Sequence, residues 1–286
     1  MAVSIAELID WLEDWANPAW QEAWDNCGWQ IEPGVLDQPA QVLVCLTPTL
    51  AVMEEALAWR AQGVGVNLIL AHHPLIFTPL KAIALGDPLG AMVSLALNHG
   101  IGIYSAHTNL DQVADGTADL LAQLLNLVEP SPVVPTQPGL GYGRVGDLPT
   151  ATPLAALLGQ MQALLQPPQL LCSPITDPQR LVHRLAVLGG SGAGFIDAVT
   201  QTGAQVYLTA DCKFHQFQQA RDRHLVLVDA GHYATERPAC ARLVERLQGR
   251  GVAWAQLSQG DEDFRQFWPG PGHPMGTPLV SSGPYP

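Results

Sequence analysis

Lysine is almost absent from this sequence: Lys81 and Lys213 are the only two among 286 residues, and the formal net charge is −13. Proteins that bind nucleic acid neutralise its phosphates with clustered lysine and arginine. The average charge of this chain would repel such a polyanion, so we expect no nucleic-acid partner. A local basic pocket for a small phosphate is still compatible with this composition.

Long apolar runs are also missing. The longest clean strand-like run, 66–71, is far shorter than the ~20 residues that a membrane span needs. The N-terminal stretch MAVSIAELIDWLEDW lacks a basic region and has acids within its apolar pattern, unlike a secretory signal. The five cysteines form no Cys-x-x-Cys pair, which is typical of reduced, buried thiols. We therefore expect a cytoplasmic protein with no membrane partner.

Short apolar segments alternate with helical ones along most of the chain. Strands are predicted over 41–46, 66–71, 101–106, 183–188, 204–210, 224–230 and 252–257. Helices are predicted over 4–16, 49–62, 88–99, 115–127, 153–166, 193–203, 214–222 and 236–249. This alternation predicts an α/β fold with a largely parallel sheet that helices cover on both faces.

Composition divides the chain into four parts. Residues 1–127 form an N-terminal α/β half, and 128–180 form a Pro-rich connection with one helix. Residues 181–260 form a C-terminal α/β half. The last stretch, 268–286, is rich in Pro and Gly and is predicted to be a disordered tail, because such a composition cannot support a packed element.

Histidines and carboxylates follow three of the predicted strands. They are His72 and His73 after strand 66–71, His107 and Asp111 after strand 101–106, and His232 and Glu236 after strand 224–230. Open parallel sheets bind ligands beyond the carboxyl ends of their strands. We therefore expect these residues to converge at one edge of one sheet.

Mixed imidazole and carboxylate ligands suit Zn, Fe, Mn or Ni better than Ca or Mg. The five candidate ligands are His72, His73, Asp111, His232 and Glu236. Five are too many for one tetrahedral site with an open position. They fit two divalent transition-metal ions per chain, about 3.5–4 Å apart. Any one of these histidines alone could equally be a hydrogen-bonded structural residue, and the convergence of three strand ends favours the metal site.

Two further histidines are candidates for proton transfer. His107 lies four residues before Asp111 and could be an additional ligand, or could support the ligands from outside. His215, in DCKFHQ, could face the same site. These two residues are the catalytic candidates.

The loop GGSGAG, 189–194, joins a predicted strand to a predicted helix. Its amides could cradle an anion. It has neither the Gly-Lys-Ser/Thr of a Walker motif nor the acidic residue that completes a dinucleotide fingerprint. The alternative interpretation is a tight turn that needs glycine for steric reasons.

Five segments taken together are more specific than any single motif. They are WDNCGWQ (24–30), AHHPLIFTPLK (71–81), SAHTNLD (105–111), LTADCKFHQFQQA (208–220) and DAGHYATE (229–236). With them the chain, up to about residue 260, resembles the Nif-three-like dinuclear metal-centre family, whose bacterial members are often labelled GTP cyclohydrolase 1 type 2 homologues. Two departures are Ala210, where glycine is usual, and Thr47, where an Asp usually follows the strand. The Thr47 departure affects substrate contacts more than the ligands.

The resemblance implies the same five metal ligands, with Asp111 and Glu236 as bridges between two Zn, Fe or Mn ions. It also implies a layered α/β fold with the metal site at C-terminal strand ends between two sub-domains, and a ring-shaped homohexamer. The function it implies is a metal-dependent hydrolase of a nucleotide or another small phosphate-bearing molecule. A non-catalytic hexameric scaffold for metal storage, metal delivery or regulation is the alternative, because no nucleobase pocket is evident in the sequence.

Overall fold

The computed structural model describes residues 2–268. The predicted disordered tail, 268–286, therefore lies outside the described residues except for Trp268. The helices are α1 (Ile5–Trp15), α2 (Leu50–Ala61), α3 (Pro88–His99), α4 (Thr108–Gln112), α5 (Thr117–Leu124), α6 (Leu154–Leu165), α7 (Ile196–Gln201), α8 (Phe214–Asp222) and α9 (His232–Gly249). The strands are β1 (Gly28–Ile31), β2 (Gln41–Cys45), β3 (Leu68–Ala71), β4 (Gly102–Ser105), β5 (Val128–Ser131), β6 (Val134–Gln137), β7 (Leu140–Tyr142), β8 (Arg144–Pro153), β9 (Leu171–Cys172), β10 (Leu181–Val187), β11 (Val206–Thr209), β12 (Val226–Asp229) and β13 (Trp254–Leu257).

The strands form two main sheets and one hairpin. The first sheet has the order β1-β4-β3-β2-β13, in which only β1 runs antiparallel to its neighbour. The second has the order β5-β8-β10-β11-β12-β9, in which only β10, β11 and β12 are mutually parallel. Strands β6 and β7 pair with each other. The α/β fold is confirmed, and the parallel arrangement holds for the first sheet and for the centre of the second.

Helices cover both faces of each sheet, because the strands are apolar on both sides. In β2, Val42 and Val44 contact the cluster built from α1 and α9, whereas Leu43 and Cys45 contact α2 and α3. The second sheet is covered by α5 and α6 on one face and by α7 and α8 on the other. Buried parallel strands of this kind appear in sequence as continuous apolar runs.

The Pro-rich stretch from 128 to 153 is not merely a connection, and the prediction missed four strands there. Strand β5 lies at an edge of the second sheet, and β8 pairs antiparallel with β10 along most of its length. Proline is tolerated at sheet edges and at bulges. Register shifts occur in both pairings, between Val128 and Ser131 and between Val182 and Arg184.

The end of the described chain returns to the first sheet. Helix α9 packs on that sheet through Cys240, Leu243 and Leu247, and β13 pairs in parallel with β2. Residues of the predicted C-terminal half, 181–260, therefore contribute to both sheets. Among the helices within 2–268, none has the length and apolar character that crossing a membrane would require.

Candidate metal centre

The predicted ligands follow strands of two different sheets, not one edge of one sheet as expected. His72 and His73 follow β3, and Asp111 lies on α4, which follows β4. Strands β3 and β4 both belong to the first sheet. His232 and Glu236 follow β12 in the second sheet. The expectation was wrong because β12 pairs with β11 and β9 rather than with a strand of the first sheet.

Helix α9 begins earlier than predicted, and this sets the geometry of its two candidate ligands. The predicted start was residue 236, whereas the helix begins at His232. His232 and Glu236 are therefore one helical turn apart on the same face. Their side chains meet, with His232 Nε2 2.8 Å from Glu236 Oε2.

The five candidate ligands form one cluster, in which Glu236 contacts the three histidines. Its Oε2 lies 3.0 Å from His73 Nε2, and its Oε1 lies 3.8 Å from His72 Nε2. Asp111 Oδ1 lies 3.7 Å from the same His72 nitrogen. The Nε2 atoms of His73 and His232 are 3.3 Å apart. Two groups of potential ligand atoms result: His73, His232 and Glu236 in one, and His72, His73 and His107 in the other.

Each histidine of the cluster has its Nδ1 held by a partner outside the cluster. The pairs are His72 with the Ala106 carbonyl oxygen (2.8 Å), His73 with Thr47 Oγ1 (2.8 Å), His107 with Asp25 Oδ1 (2.8 Å) and His232 with Asp211 Oδ2 (2.7 Å). A partner on Nδ1 fixes the ring and leaves Nε2 free to face the centre. Metal-binding histidines in proteins almost always have such a partner.

The buried Nε2 of His72 fits a metal ligand. The ring is 1% exposed, and within 2–268 its Nε2 has no hydrogen-bond partner. A buried polar atom without a partner is costly, whereas a bound ion would satisfy it. Tetrahedral coordination with bonds of 2.0–2.2 Å places neighbouring ligand atoms roughly 3.3 Å apart. The separations of 2.8–3.8 Å seen here lie around that value.

The charges of the cluster attract cations. Burial alone would lower the pKa of His72, but Glu236 and Asp111 outweigh it and raise that pKa to about 9. Burial likewise opposes the charge of His232, while Asp211 and Glu236 raise its pKa to about 10. Without metal, these two rings therefore carry protons at neutral pH in the positions where cations would bind.

The other ligands respond differently to the same surroundings. Burial lowers the pKa of His73 despite the nearby Glu236 carboxylate. Burial and Glu236 raise the pKa of Asp111, although His72 acts in the opposite direction. Burial would raise the pKa of Glu236, but the three surrounding histidines hold it well below its usual range. Glu236 is thus the central anion of the cluster.

Asp25 is a buried carboxylate that the sequence reasoning did not single out. Its side chain is fully buried, and it accepts hydrogen bonds from His107 Nδ1 and from the backbone and hydroxyl of Thr108. Burial alone would raise the pKa of Asp25, but the bonds from His107 and Thr108 hold it far below its usual range. Only its place in the WDNCGWQ segment marked it in the sequence.

Asp211 is the second residue that was missed. It lies two residues after the end of β11 and holds His232 from outside the cluster. The strand-end rule that identified the histidines would also have found it, had every strand end been examined for carboxylates. Asp211 and Thr47 are therefore supporting residues rather than additional ligands.

The GGSGAG loop, 189–194, packs closely against Glu236 of the cluster. Gly190 has a positive φ of 63°, and a Cβ there would lie 2.0 Å from Glu236 Oε1. The Gly190 amide donates to Thr235 Oγ1 and the Gly192 amide donates to Thr209 Oγ1. These two amides are already engaged, which favours the steric interpretation of the GGSGAG loop over an anion cradle.

His107 and His215 have different surroundings. The His107 ring centroid lies 5.1 Å from that of His72 and 5.4 Å from that of His73, so it borders the centre. His215 is exposed in the first turn of α8 and belongs to neither of the two ligand groups found among residues 2–268. Its role in proton transfer stays a prediction.

The fold and the cluster together define an α/β protein with a partly buried histidine–carboxylate cluster built from residues that follow strands of two sheets. Residues 3–258 match the model of the Duf34/NIF3 (NGG1p interacting factor 3) family. A relative from a Nostoc species, named GTP cyclohydrolase 1 type 2 homolog, is 63% identical over 93% of this chain and 99% of its own length. The chain therefore belongs to the Duf34/NIF3 family.

More distant proteins are also similar to this chain in sequence or in fold. A Schizosaccharomyces pombe relative named Protein NIF3 homolog is 32% identical, with 82% of this chain and 87% of its own length aligned. The crystal structure of a Bacillus cereus protein related to NIF3 superimposes with a TM-score of 0.80 at 23% identity, covering 93% of this chain and 99% of that one. This structural likeness shows the fold alone.

Proposed function

We propose that the chain binds two divalent transition-metal ions and uses them to hydrolyse a nucleotide or another small phosphate-bearing molecule. The observation that supports it best is the common orientation of four histidines. Each has its Nδ1 held from outside, and the Nε2 atoms of His72, His73 and His232 lie within 3.8 Å of Glu236. His72, His73, Asp111, His232 and Glu236 would hold the ions, with Asp111 and Glu236 as bridges.

The ions and the surrounding residues would have separate tasks. When bound, two adjacent divalent ions activate water and stabilise negative charge that develops on the substrate. The chain itself would move the proton: Asp25 keeps the proton of His107 on Nδ1, so that Nε2 can accept one. The buried Glu236 and His72 exclude bulk water from one side of the centre.

Two exposed aromatic rings, Trp24 beside His107 and Phe77 beside Trp24, support a substrate with a planar group. Trp24 lies 6.1 Å from His107 and 5.9 Å from Phe77 between ring centroids. More than half of each of these two aromatic residues is exposed. Planar bases stack on such rings. The name of the Nostoc relative, GTP cyclohydrolase 1 type 2 homolog, makes GTP the first nucleotide to test.

The test counts metal before it measures turnover. Untagged protein, purified without chelators, should contain about two transition-metal ions per chain by elemental analysis. Asp111→Ala should lose metal, and His73→Ala should fold but lose both metal and turnover. The matched control is Asp37→Asn, because Asp37 is an exposed carboxylate.

The outcomes separate the candidate functions. Protein that takes up no Zn, Mn or Fe(II) would contradict the proposal. Two tightly held ions with no turnover of GTP, other nucleotides or phosphate esters would favour the alternative, a non-catalytic scaffold for metal storage, delivery or regulation. A delivery protein should also release its metal readily to an acceptor, whereas a catalytic centre should retain it.

We further propose a ring-shaped homohexamer, as the resemblance implies. The loop between β3 and α3 exposes Leu80, Ile83 and Leu85, and exposed apolar patches of this kind often mark interfaces. Native mass spectrometry should show six chains. Leu85→Asp should reduce assembly, whereas Glu54→Gln, an exposed change on α2, should not.

A further inference from the structure

The chain segment after the last strand contacts three groups that lie next to candidate ligands: the Thr47 backbone, Arg237 on α9 and the Asp211 carboxylate. We name residues 258–265 the C-terminal strap. Most of it lies beyond residues 3–258, which match the family model. It begins where β13 ends and crosses the end of β2.

The first part of the strap is fixed to α2. Glu55 Oε2 accepts hydrogen bonds from Ser258 Oγ (2.6 Å), from the Gln259 amide (2.8 Å) and from the Gly260 amide (2.9 Å). Gly260 lies so close to α2 that a Cβ would meet the Ala51 backbone at 2.9 Å. The start of the strap is thus held in one position.

Asp261 connects the strap to the support of His73. Its side chain is fully buried, and it accepts hydrogen bonds from the amides of Leu46 (2.6 Å) and Thr47 (3.4 Å). Thr47 is the residue whose hydroxyl holds His73 Nδ1. The carboxylate of Asp261 therefore fixes the backbone on which the partner of His73 is carried.

The same carboxylate also reaches the helix that carries Glu236. Arg237 Nε lies 3.3 Å from Asp261 Oδ2, and Arg237 Nη2 donates to the Ser258 carbonyl oxygen at 2.9 Å. Arg237 is buried and directly follows Glu236. A buried ion pair of this kind is costly to break, because the remaining charge is left without a partner.

Arg265 connects the strap to the support of His232. Arg265 Nη1 lies 3.5 Å from Asp211 Oδ1, and Asp211 Oδ2 holds His232 Nδ1. Gly231 makes room for this guanidinium, since a Cβ there would lie 2.7 Å from Arg265 Nη2. Because Arg265 and Asp211 are both exposed, this contact is weaker than the one made by Asp261.

These contacts reach His73, His232 and Glu236; His73 is shared by both ligand groups, whereas His232 belongs to one of them. We infer that the C-terminal strap positions the ligand group of His73, His232 and Glu236, and so tunes most strongly the affinity of the ion that His232 binds. Asp261 and Arg265 are its positioning residues. His72 and His107 are held instead by Ala106 and Asp25, which lie outside the strap. This inference rests on the proposed dinuclear centre.

The test is a Zn²⁺ titration at controlled free concentration, with ions counted per chain by mass spectrometry. At a free Zn²⁺ concentration that just fills both sites of the unaltered protein, Asp261→Asn should retain one ion and lose the other. The weakened site of Asp261→Asn should need on the order of tenfold more free Zn²⁺ than the same site of the unaltered protein. Arg265→Gln should show a smaller loss at the same site, and Arg265→Lys should restore part of it.

Arg184→Gln is the matched control, because Arg184 also forms an exposed ion pair, with Asp147 on β8. Unfolding of each metal-free variant shows whether it still folds. If Asp261→Asn does not fold, the Arg265 variants still test the inference, because Arg265 is exposed and its replacement should not prevent folding. Unchanged occupancy of both sites, or equal loss from both, would overturn the inference. Unaltered protein that binds no Zn²⁺ would instead overturn the dinuclear centre itself.

Discussion

Gly190 lies directly against Glu236, so closely that a Cβ on Gly190 would come within 2.0 Å of Oε1. The residue also has a positive φ of 63°, which side chains other than glycine rarely adopt. The glycine loop is therefore shaped around the central carboxylate of the cluster. Any side chain at this position must displace either the loop or Glu236.

Gly190→Ala should therefore damage the metal centre and destabilise the fold. We expect metal affinity to fall by tenfold or more, and unfolding free energy to fall by about 1–3 kcal/mol from backbone strain. Metal counting and urea unfolding measure the two effects. Gly194→Ala is the control, because a Cβ at Gly194 meets nothing within 4 Å. Equal behaviour of the two variants would show that the contact with Glu236 is unimportant.

Thr47 offers a test of how His73 is oriented. Its hydroxyl lies 2.8 Å from His73 Nδ1. Thr47→Val keeps the shape but removes the acceptor, so metal affinity should fall roughly 10- to 100-fold. Thr47→Asp restores a stronger acceptor and should bind metal at least as tightly as the unaltered chain.

The comparison for Thr47 is Thr150→Val, which removes an exposed hydroxyl on β8. Competition with a chromophoric chelator would measure the metal affinities of Thr47→Val, Thr47→Asp and Thr150→Val against that of the unaltered chain. Unchanged binding in Thr47→Val would mean that the hydroxyl does not control the His73 ring.

The buried strands at the centres of both sheets and the five clustered residues illustrate what the sequence could predict. Apolar runs such as 66–71 and 224–230 mark buried strands because both of their faces lie under helices. His72, His73, His232 and Glu236 could be found because they follow such strands. In each case the signal is local: a run, followed by a polar residue.

What could not be predicted depended on pairing between distant segments. Nothing local shows that β12 belongs to a different sheet from β3, or that β13 returns to pair with β2. Strands β5 to β8 were hidden because their prolines resemble a linker, although edges and bulges accommodate them. Asp25 was missed because its partner, His107, lies 82 residues away in the chain.

Metal binding should depend strongly on pH. In the metal-free protein the carboxylates raise the pKa of His72 to about 9 and that of His232 to about 10. A metal ligand must be a neutral imidazole, so binding near pH 7 should release about two protons per chain. Affinity should therefore rise from pH 7 towards pH 10. Calorimetry in two buffers of different ionisation enthalpy counts the protons, and binding without proton release would contradict these pKa values.

The stability of the metal-free protein should show the opposite trend. The unfolded-state pKa of a histidine is about 6.5, so the raised values of His72 and His232 stabilise the fold fully below that pH. This contribution is lost as pH rises through about 9 and about 10. Urea unfolding of chelator-treated protein should become easier over this range. Metal-loaded protein should not show the same loss, because ions take the place of the protons.

Asp25→Asn should impair proton transfer while leaving the metal in place. The Asp25 carboxylate accepts the Nδ1 proton of His107, whereas an asparagine amide can present its NH₂ group and favour the other tautomer. Turnover should fall on the order of 10²- to 10⁴-fold with about two ions retained. The long-range ¹⁵N spectrum of His107 should show the proton moving from Nδ1 to Nε2, a readout that needs no substrate.

A double-variant comparison separates this role from a general structural one. If Asp25 acts through His107, then His107→Gln should cost as much as Asp25→Asn, and the combined variant should lose little more. Two independent structural defects would instead multiply their losses. Asp37→Asn again removes an exposed carboxylate and should change neither the tautomer nor the rate. Losses that multiply, or a His107 tautomer unchanged in Asp25→Asn, would show that the buried carboxylate serves the fold and not the proton.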